Sequence, residues 1–163
     1  MIFRFLFLLL IPFGSLQESN DDRYYKDFYM DGTLKEEGWK ESEKKIGYWY
    51  FYHTNGKIAS QGNFKNNKKD GYWYFYNAKS KKIKEGHFKK NNAENWWIIY
   101  DIADASTNKI VRKYQFRNNK KNGFCLLYKN NELFKAEKYM DDEKIGEWTS
   151  IQSFKRDNPN ASL

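Results

Sequence analysis

The chain of 163 residues contains one cysteine, two histidines, two prolines and ten glycines. A single cysteine, Cys125, excludes an intrachain disulfide framework and a zinc site built from several cysteines. So little proline and glycine excludes a collagen-like or proline-rich chain. His53 and His87 stand in no Ser-His-Asp, Cys-His or His-Glu-x-x-His pattern, and no glycine-rich phosphate loop is present. The sequence therefore predicts a protein that is not an enzyme and that binds no metal or cofactor.

Aromatic residues and lysine are what the chain has in excess. Aromatic residues make up 20% of it, and 29 basic residues against 21 acidic ones give a formal net charge of +8. The aromatic content argues against disorder, because such side chains bury enough area to offset chain entropy. The charge favours anionic partners such as lipid head groups. Most of the basic residues are lysines, however, and they are interleaved with asparagines at 66–69 and 118–121, which is typical of solvated turns. No nucleic-acid partner is expected.

The N-terminal segment has the form of an export signal. A basic residue, Arg4, precedes an apolar run from Phe5 to Phe13 that contains Pro12. About nine residues at about 1.5 Å each span roughly half of a bilayer core of about 30 Å, so the run is too short for a transmembrane helix. The sequence predicts a signal peptide over residues 1–16 and an exported protein without a transmembrane helix in the mature chain. An N-terminal strand or an uncleaved anchor is the alternative.

The rest of the chain repeats with a period of about 24 residues. The segment 47–52, Gly-Tyr-Trp-Tyr-Phe-Tyr, recurs at 71–76, and related segments begin at Asn95, Gly123 and Gly146. An aromatic residue stands seven positions before each later segment; these residues are Phe64, Phe88, Phe116 and Tyr139. Self-similarity at a fixed period is the signature of a repeat architecture.

Each repeat has the pattern of a β-hairpin. Its first strand is short and aromatic, and the segments 30–32 and 54–56 end in Asp-Gly and Asn-Gly, which are strong hairpin signals. The sequence predicts an all-β protein of stacked antiparallel β-hairpins, about five units in an open, twisted single sheet. The repeat domain is expected at 23–154 and a polar C-terminal tail at 155–163. The third repeat is about four residues longer around 101–108, which predicts either a protruding loop or a plain extension of the hairpin.

Alternation along a strand divides the repeated side chains between two faces. One face bears Trp49 and Trp73 (the Trp face), and the other bears Tyr48 and Tyr72 (the Tyr face). The Trp face is the predicted core, and the expected core residues are Trp49, Phe51, Phe64, Trp73, Phe75, Phe88, Trp97, Phe116 and Trp148. The Tyr face and a row of lysines along one side of the sheet form the candidate interaction surface: Tyr48, Tyr50, Tyr72, Tyr74, Lys68, Lys69, Lys89, Lys90, Lys120 and Lys121.

At these positions the chain resembles the bacterial variant of the MORN repeat. That pattern is Gly-x-Trp-x-x-Tyr, then Asn-Gly-Lys-Leu/Ile, then Gly-x-Phe/Tyr-Lys. Segment 47–65 matches it throughout and segment 71–89 matches most of it. The resemblance covers roughly residues 23–151. It weakens in the third and fourth repeats, where Asn95 replaces glycine, Cys125 replaces tryptophan and the second-strand glycine is lost.

The resemblance implies a stacked hairpin sheet that serves as a protein-interaction or membrane-associated scaffold. We therefore expect an exported, non-enzymatic scaffold whose sheet surface binds a protein partner or an anionic envelope surface. A carbohydrate- or choline-binding aromatic repeat module is one alternative, because tyrosine and tryptophan at a fixed step stack on sugar rings or surround a quaternary ammonium group. A cytoplasmic antitoxin-type binding partner is another, since many bacterial members of the family carry that label; it requires that residues 1–16 are not a signal.

Overall fold

The structure, a computed structural model, describes residues 23–101 and 109–161, which form eleven β-strands and one short helix. The strands are β1 (Arg23–Phe28), β2 (Leu34–Glu41), β3 (Lys44–Tyr52), β4 (Ile58–Lys65), β5 (Lys68–Tyr76), β6 (Lys82–Lys89), β7 (Asn92–Tyr100), β8 (Ile110–Arg117), β9 (Lys120–Lys129), β10 (Glu132–Met140) and β11 (Glu143–Trp148), and the helix is α1 (Ile151–Asp157). The predicted signal peptide lies outside the described residues, as does most of the insertion in the third repeat.

The strands form a single antiparallel sheet in which each strand pairs with its neighbours in sequence, from β1 at one edge to β11 at the other. Five hairpins, β1–β2 through β9–β10, are therefore stacked side by side and followed by β11. The two edge strands do not pair with each other, so the sheet is open. This architecture confirms the predicted all-β fold of stacked hairpins.

Asparagine-rich turns join the hairpins, and their composition has a local backbone cause. In two-residue turns such as Asn66-Asn67 and Asn118-Asn119, both residues have a positive φ between 50° and 67°. This is the conformation of the type I′ turn, which asparagine tolerates better than most residues. Asn95, which replaces a repeat glycine, also has a left-handed φ of 57°, so the substitution preserves the backbone conformation of that position.

The same turns also form hydrogen bonds with the preceding repeat. The backbone N–H of Asn67 donates to the carbonyl oxygen of Lys45 at 3.1 Å, and the backbone N–H of Lys45 donates to Asn67 Oδ1 at 2.7 Å. Three more pairs repeat this exchange: Asn91 with Lys69, Asn119 with Ala93, and Asp142 with Lys121. Turn residues thus contribute to the stacking as well as to the hairpins.

Helix α1 is an element that the sequence analysis did not anticipate. It begins after Ser150, whose Oγ accepts a hydrogen bond from the backbone N–H of Ser153 at 3.2 Å, and it buries Phe154. The helix crosses the expected boundary at 154–155 between the repeat domain and the tail. A serine cap followed by Phe154 and by basic residues in the last turn is the signal that would have indicated it. Within the described ranges, no helix is long and apolar enough to cross a membrane.

Candidate interaction surface

The buried layer of the Trp face is built from pairs of a tryptophan and a glycine on adjacent strands. The pairs are Trp49 with Gly38, Trp73 with Gly62, and Trp97 with Gly86. A Cβ atom on Gly62 would lie 2.5 Å from Trp73 Cε2, so only glycine lets the indole lie flat on the neighbouring backbone. The indole N–H of Trp73 donates to the carbonyl oxygen of Asn63 at 3.1 Å. Trp49 and Trp73 are 0% exposed and Trp97 is 5% exposed, so the expected core tryptophans of the Trp face are buried.

Phenylalanine rings connect the successive tryptophans. The centroid of the Phe64 ring lies 5.1 Å from that of Trp73, and the centroid of Phe88 lies 4.9 Å from that of Trp97, both edge to face. Such pairs stabilise beyond the area they bury. The expected core residues of this type are all half-buried: Phe51, Phe64, Phe75, Phe88 and Phe116. They form a continuous aromatic ladder with the tryptophans.

The structure does not bring all six predicted lysines together. Four of them are exposed beside the turns: Lys68, Lys89, Lys90 and Lys120. The other two, Lys69 and Lys121, lie half-buried over aromatic rings, with the Lys69 ammonium 4.5 Å from the Trp73 ring centroid and that of Lys121 4.9 Å from Tyr114. Adjacent residues of a strand point to opposite faces, and the expected row therefore divides into exposed lysines and aromatic-packed ones.

The Tyr face is uncovered on the second and third hairpins. Tyr48 and Tyr72 are 36% and 38% exposed, whereas Tyr50 and Tyr74 are half-buried. Each exposed ring is held against a half-buried one, with centroid separations of 5.2 Å for Tyr48 and Tyr50 and 5.1 Å for Tyr72 and Tyr74. The four predicted tyrosines therefore form two fixed ring pairs on one surface.

A row of polar side chains runs beside these rings, and the sequence analysis missed it. Glu37, Gln61 and Glu85 recur at the 24-residue step, and each bonds a tyrosine fifteen residues further along the chain. The Tyr52 hydroxyl donates to Glu37 Oε1 at 2.6 Å. Burial, followed by the bond to Glu37, raises the pKa of Tyr52, and the same bond lowers the pKa of Glu37. Near neutral pH this part of the row therefore pairs the protonated Tyr52 hydroxyl with the ionised Glu37 carboxylate.

Two open depressions lie where the exposed lysines meet the Tyr face. Their volumes are about 430 and 550 Å³, and both are lined by His87, Lys89 and Lys90. His87 pairs across the strands with Tyr72, which places the depressions beside the exposed tyrosines. Within the described part of the chain, the buried Nδ1 atom of His87 has no hydrogen-bond partner. Basic side chains, among them Lys89 and Lys90, therefore line the depressions beside the tyrosines.

On the fifth hairpin and β11, helix α1 covers the Tyr face. Phe154 is 1% exposed, and its ring centroid lies 5.2 Å from that of Phe124 and 5.4 Å from that of Trp148. Leu126 and Ala136 complete this core. Leu126 occupies the position that Tyr50 and Tyr74 hold in earlier repeats, so an apolar residue stands where the helix covers the sheet.

Trp148 belongs to this second core and lies outside the Trp-face ladder. In β7 the pairing with β6 passes from His87–Glu94 to Gly86–Trp97, and this bulge leaves two residues of β7 without a partner on β6. In β11 the corresponding step leaves only Ile145 unpaired. Because a change of one residue turns a strand's side chains to the other face, Trp148 points toward α1. The repeat spacing in the sequence does not reveal the size of the bulge.

In the fourth repeat the large and the small residue of the tryptophan–glycine pair stand on opposite strands from those in earlier repeats. Cys125 stands in the tryptophan position, and Tyr114, its partner on β8, stands in the glycine position. The bulky ring has therefore moved to the other strand, which explains why both repeat residues are lost together. Cys125 is 0% exposed, and burial raises the pKa of its thiol and that of the Tyr114 hydroxyl to about 12 each.

No protein-family model matches the chain, and no curated protein matches it. Among residues 23–101 and 109–161, no three histidine, cysteine or acidic side chains are grouped so as to hold a metal ion.

Proposed function

We propose that the protein is an exported, non-enzymatic MORN-like scaffold whose sheet surface binds a protein partner or an anionic envelope surface. The observation that carries this proposal is the uncovered Tyr face of the second and third hairpins. Tyrosine suits such a surface because its ring is apolar, its hydroxyl is polar and it has few rotamers to lose on binding. A partner would cover these rings much as α1 covers the equivalent positions near Leu126.

The charges beside the tyrosines support an anionic or acidic partner. Lys68, Lys89 and Lys90 are exposed and line the depression of about 550 Å³ next to His87. Clustered basic groups attract anionic partners and raise the rate of association. The nearby carboxylate of Glu85 accepts a hydrogen bond from Tyr100, so part of the opposing charge is already engaged within the sheet.

Export is part of the same proposal and rests on the sequence. The apolar run before residue 17 supports a cleaved signal. A lone cysteine suits an oxidising compartment when it is buried, since a buried thiol behaves as a small apolar group. Cys125 meets that condition.

The proposal is tested by removing the exposed rings. The double variant Tyr48→Ala/Tyr72→Ala is compared with Phe134→Ala, a matched control because Phe134 is 41% exposed on β10. Binding of the purified chain from residue 17 onward to a separated envelope fraction is measured by sedimentation. We expect the double variant to bind at least about tenfold more weakly and the control to bind as the native protein does. Equal binding by all three would contradict the proposal.

Two further measurements address the alternatives. The intact mass of the native protein from separated cell fractions is expected to lack roughly the first 16 residues, in the envelope or the medium. A full-length mass in the cytosol would favour the antitoxin-type alternative. Titration with choline or glucan oligosaccharides is expected to leave tryptophan fluorescence unchanged, whereas a saturable change would favour the carbohydrate- or choline-binding module.

A further inference from the structure

Two equivalent lysines of the Trp face differ in their ionic partners. Lys45 and Lys69 stand 24 residues apart at the same position of successive repeats. Lys45 Nζ lies 2.5 Å from Glu36 Oε2. The residue equivalent to Glu36 in the next repeat is Ser60, since Glu36 pairs with Phe51 and Ser60 pairs with the corresponding Phe75. Within the described ranges Lys69 makes no ion pair, because the Ser60 side chain that stands in the place of Glu36 is short and carries no charge.

A depression marks the place of the missing carboxylate. Its volume is about 310 Å³, and its lining consists of Lys45, Phe51, Ser60, Phe64, Asn67 and Lys69. In the preceding repeat the Glu36 side chain extends to the lysine at the equivalent place. The chain itself thus shows how a carboxylate meets a lysine on this face.

The electrostatic environment of Lys69 favours an added anion. The ammonium is half-buried over Trp73, Phe75 and Phe88, where the ring faces provide only partial compensation for lost water. Desolvation, followed by the positive charges of Lys84 and Lys45, lowers the pKa of Lys69. A carboxylate at this place would pair with the ammonium in a partly desolvated setting, where such a bond is stronger than at an open surface.

The site fits a carboxylate better than a phosphate group. Lys45 is already engaged by Glu36, which leaves Lys69 as the lysine without an ionic partner in the lining. One ammonium and the Ser60 hydroxyl match the single charge and the two oxygens of a carboxylate. The rings of Phe51 and Phe64 would contact the methylene groups of a glutamate side chain, as apolar surface does for long charged residues.

We propose that the depression between Ser60 and Lys69 binds the carboxylate of an acidic side chain from a protein partner. This inference deepens the proposed function, on which its biological use rests, and it adds a contact on the Trp face to the contacts expected on the Tyr face. The site occurs once in the ladder of described repeats. In the next repeat Ala93 takes the place of the lysine and Lys84 the place of Ser60, so the same pairing is not possible there.

The test uses the chain from residue 17 onward and two peptides, acetyl-hexaglutamate amide and acetyl-hexaglutamine amide. Side-chain NMR signals of Lys69, assigned from the spectrum of Lys69→Gln, are followed during titration. We expect saturable shifts with hexaglutamate and none with hexaglutamine. Ser60→Glu supplies the carboxylate from within the chain, so it should weaken hexaglutamate binding at Lys69 at least about tenfold and raise the pKa of Lys69. Ser60→Gln, similar in size but neutral, should leave that pKa unraised.

The outcomes separate this inference from the wider proposal. Hexaglutamate binding that is equal in the native chain and in Ser60→Glu would overturn the carboxylate site, as would shifts at Lys69 with inorganic phosphate at lower concentration than with hexaglutamate. Tyr48→Ala/Tyr72→Ala lies on the other face and should keep the native response to hexaglutamate. If hexaglutamate causes no shifts at Lys69 but the chain binds the envelope fraction, only the carboxylate site is refuted. If the Lys69 shifts occur but the chain does not bind the envelope fraction, only the Tyr-face proposal is refuted.

Discussion

The second and third hairpins bury their apolar side chains on one face of the sheet, whereas the fifth hairpin and β11 bury theirs on the other face. In the former, Trp73 lies flat on Gly62 within an aromatic ladder, and the Tyr face stays uncovered. In the latter, the Trp face holds Cys125 opposite Tyr114, and the apolar core lies under α1 around Leu126. The same repeat pattern therefore supports two packing solutions.

The difference follows from the one-dimensional nature of a stacked-hairpin sheet. Each hairpin contacts only its neighbours, so its stability depends on local interfaces and each region can be packed in its own way. Where tryptophan covers glycine, the Trp face is buried by its own side chains, and the other face is available for a partner. Where that pair is lost, an added helix supplies the core.

Truncation of a ladder tryptophan should have the largest effect. Trp73→Ala removes a fully buried indole together with its hydrogen bond to Asn63. We expect the free energy of unfolding to fall by about 3–5 kcal/mol, as for other buried tryptophans. Urea denaturation measures the change. A free energy of unfolding equal to that of the native protein would refute the assignment of the Trp face as the core of this region.

Truncation at one repeat position should have different effects in the two regions. Leu126 and Tyr74 are equivalent, but Leu126 is 2% exposed under α1 and Tyr74 is half-buried on an uncovered face. Leu126→Ala should destabilise the fold by about 2–5 kcal/mol and Tyr74→Ala by only about 1 kcal/mol. Urea denaturation of both variants tests this contrast. Equal losses would mean that the two regions do not differ in which face is buried.

A methyl group added beneath the indole should lower the free energy of unfolding by less than removal of the indole does. Gly62→Ala places its Cβ against the Trp73 ring, and we expect a loss of about 1–3 kcal/mol from overpacking. In the Trp73→Ala background the same change should cost little, because the clash has gone. A double-mutant cycle measures this coupling. Additive losses would show that the ring does not lie on Gly62.

The smallest expected effect is a pH dependence of the fourth repeat. Burial raises the pKa of Cys125 to about 12, so the thiol contributes stability below its unfolded pKa, near 8.5, and this stability is lost as the pH rises toward the folded value. Between about pH 9 and about pH 10, Cys125→Ala should lose less stability than the native protein, by up to about 1 kcal/mol. Identical losses in urea titrations at the two pH values would contradict a buried, protonated thiol.

The sequence alone was sufficient to predict the regular part of the fold. Hairpin signals, the 24-residue period and strand alternation specify the stacked sheet and the burial of Trp49, Trp73 and Trp97. These features depend on residues close together in sequence or repeated at a fixed step. The left-handed conformation at Asn95 was not predicted, although asparagine adopts that conformation more readily than most residues other than glycine.

The features that escaped prediction depend on geometry through space. Trp148 changes face because the bulge of β11 is one residue shorter than that of β7. Lys69 and Lys68 are neighbours in sequence, yet one packs on Trp73 and the other is exposed. The row of Glu37, Gln61 and Glu85 was not predicted, because each tyrosine partner lies fifteen residues further along the chain on another strand.

Hydroxyl-radical footprinting of the intact chain tests most directly the claim that the two regions bury opposite faces. The method reports the solvent accessibility of individual aromatic side chains. We predict strong modification of Tyr48 and Tyr72, and protection of Trp73 on one face and Phe154 on the other. Protection of Tyr48 and Tyr72 equal to that of Trp73 would contradict the account, because the Tyr face would then be covered along the whole sheet.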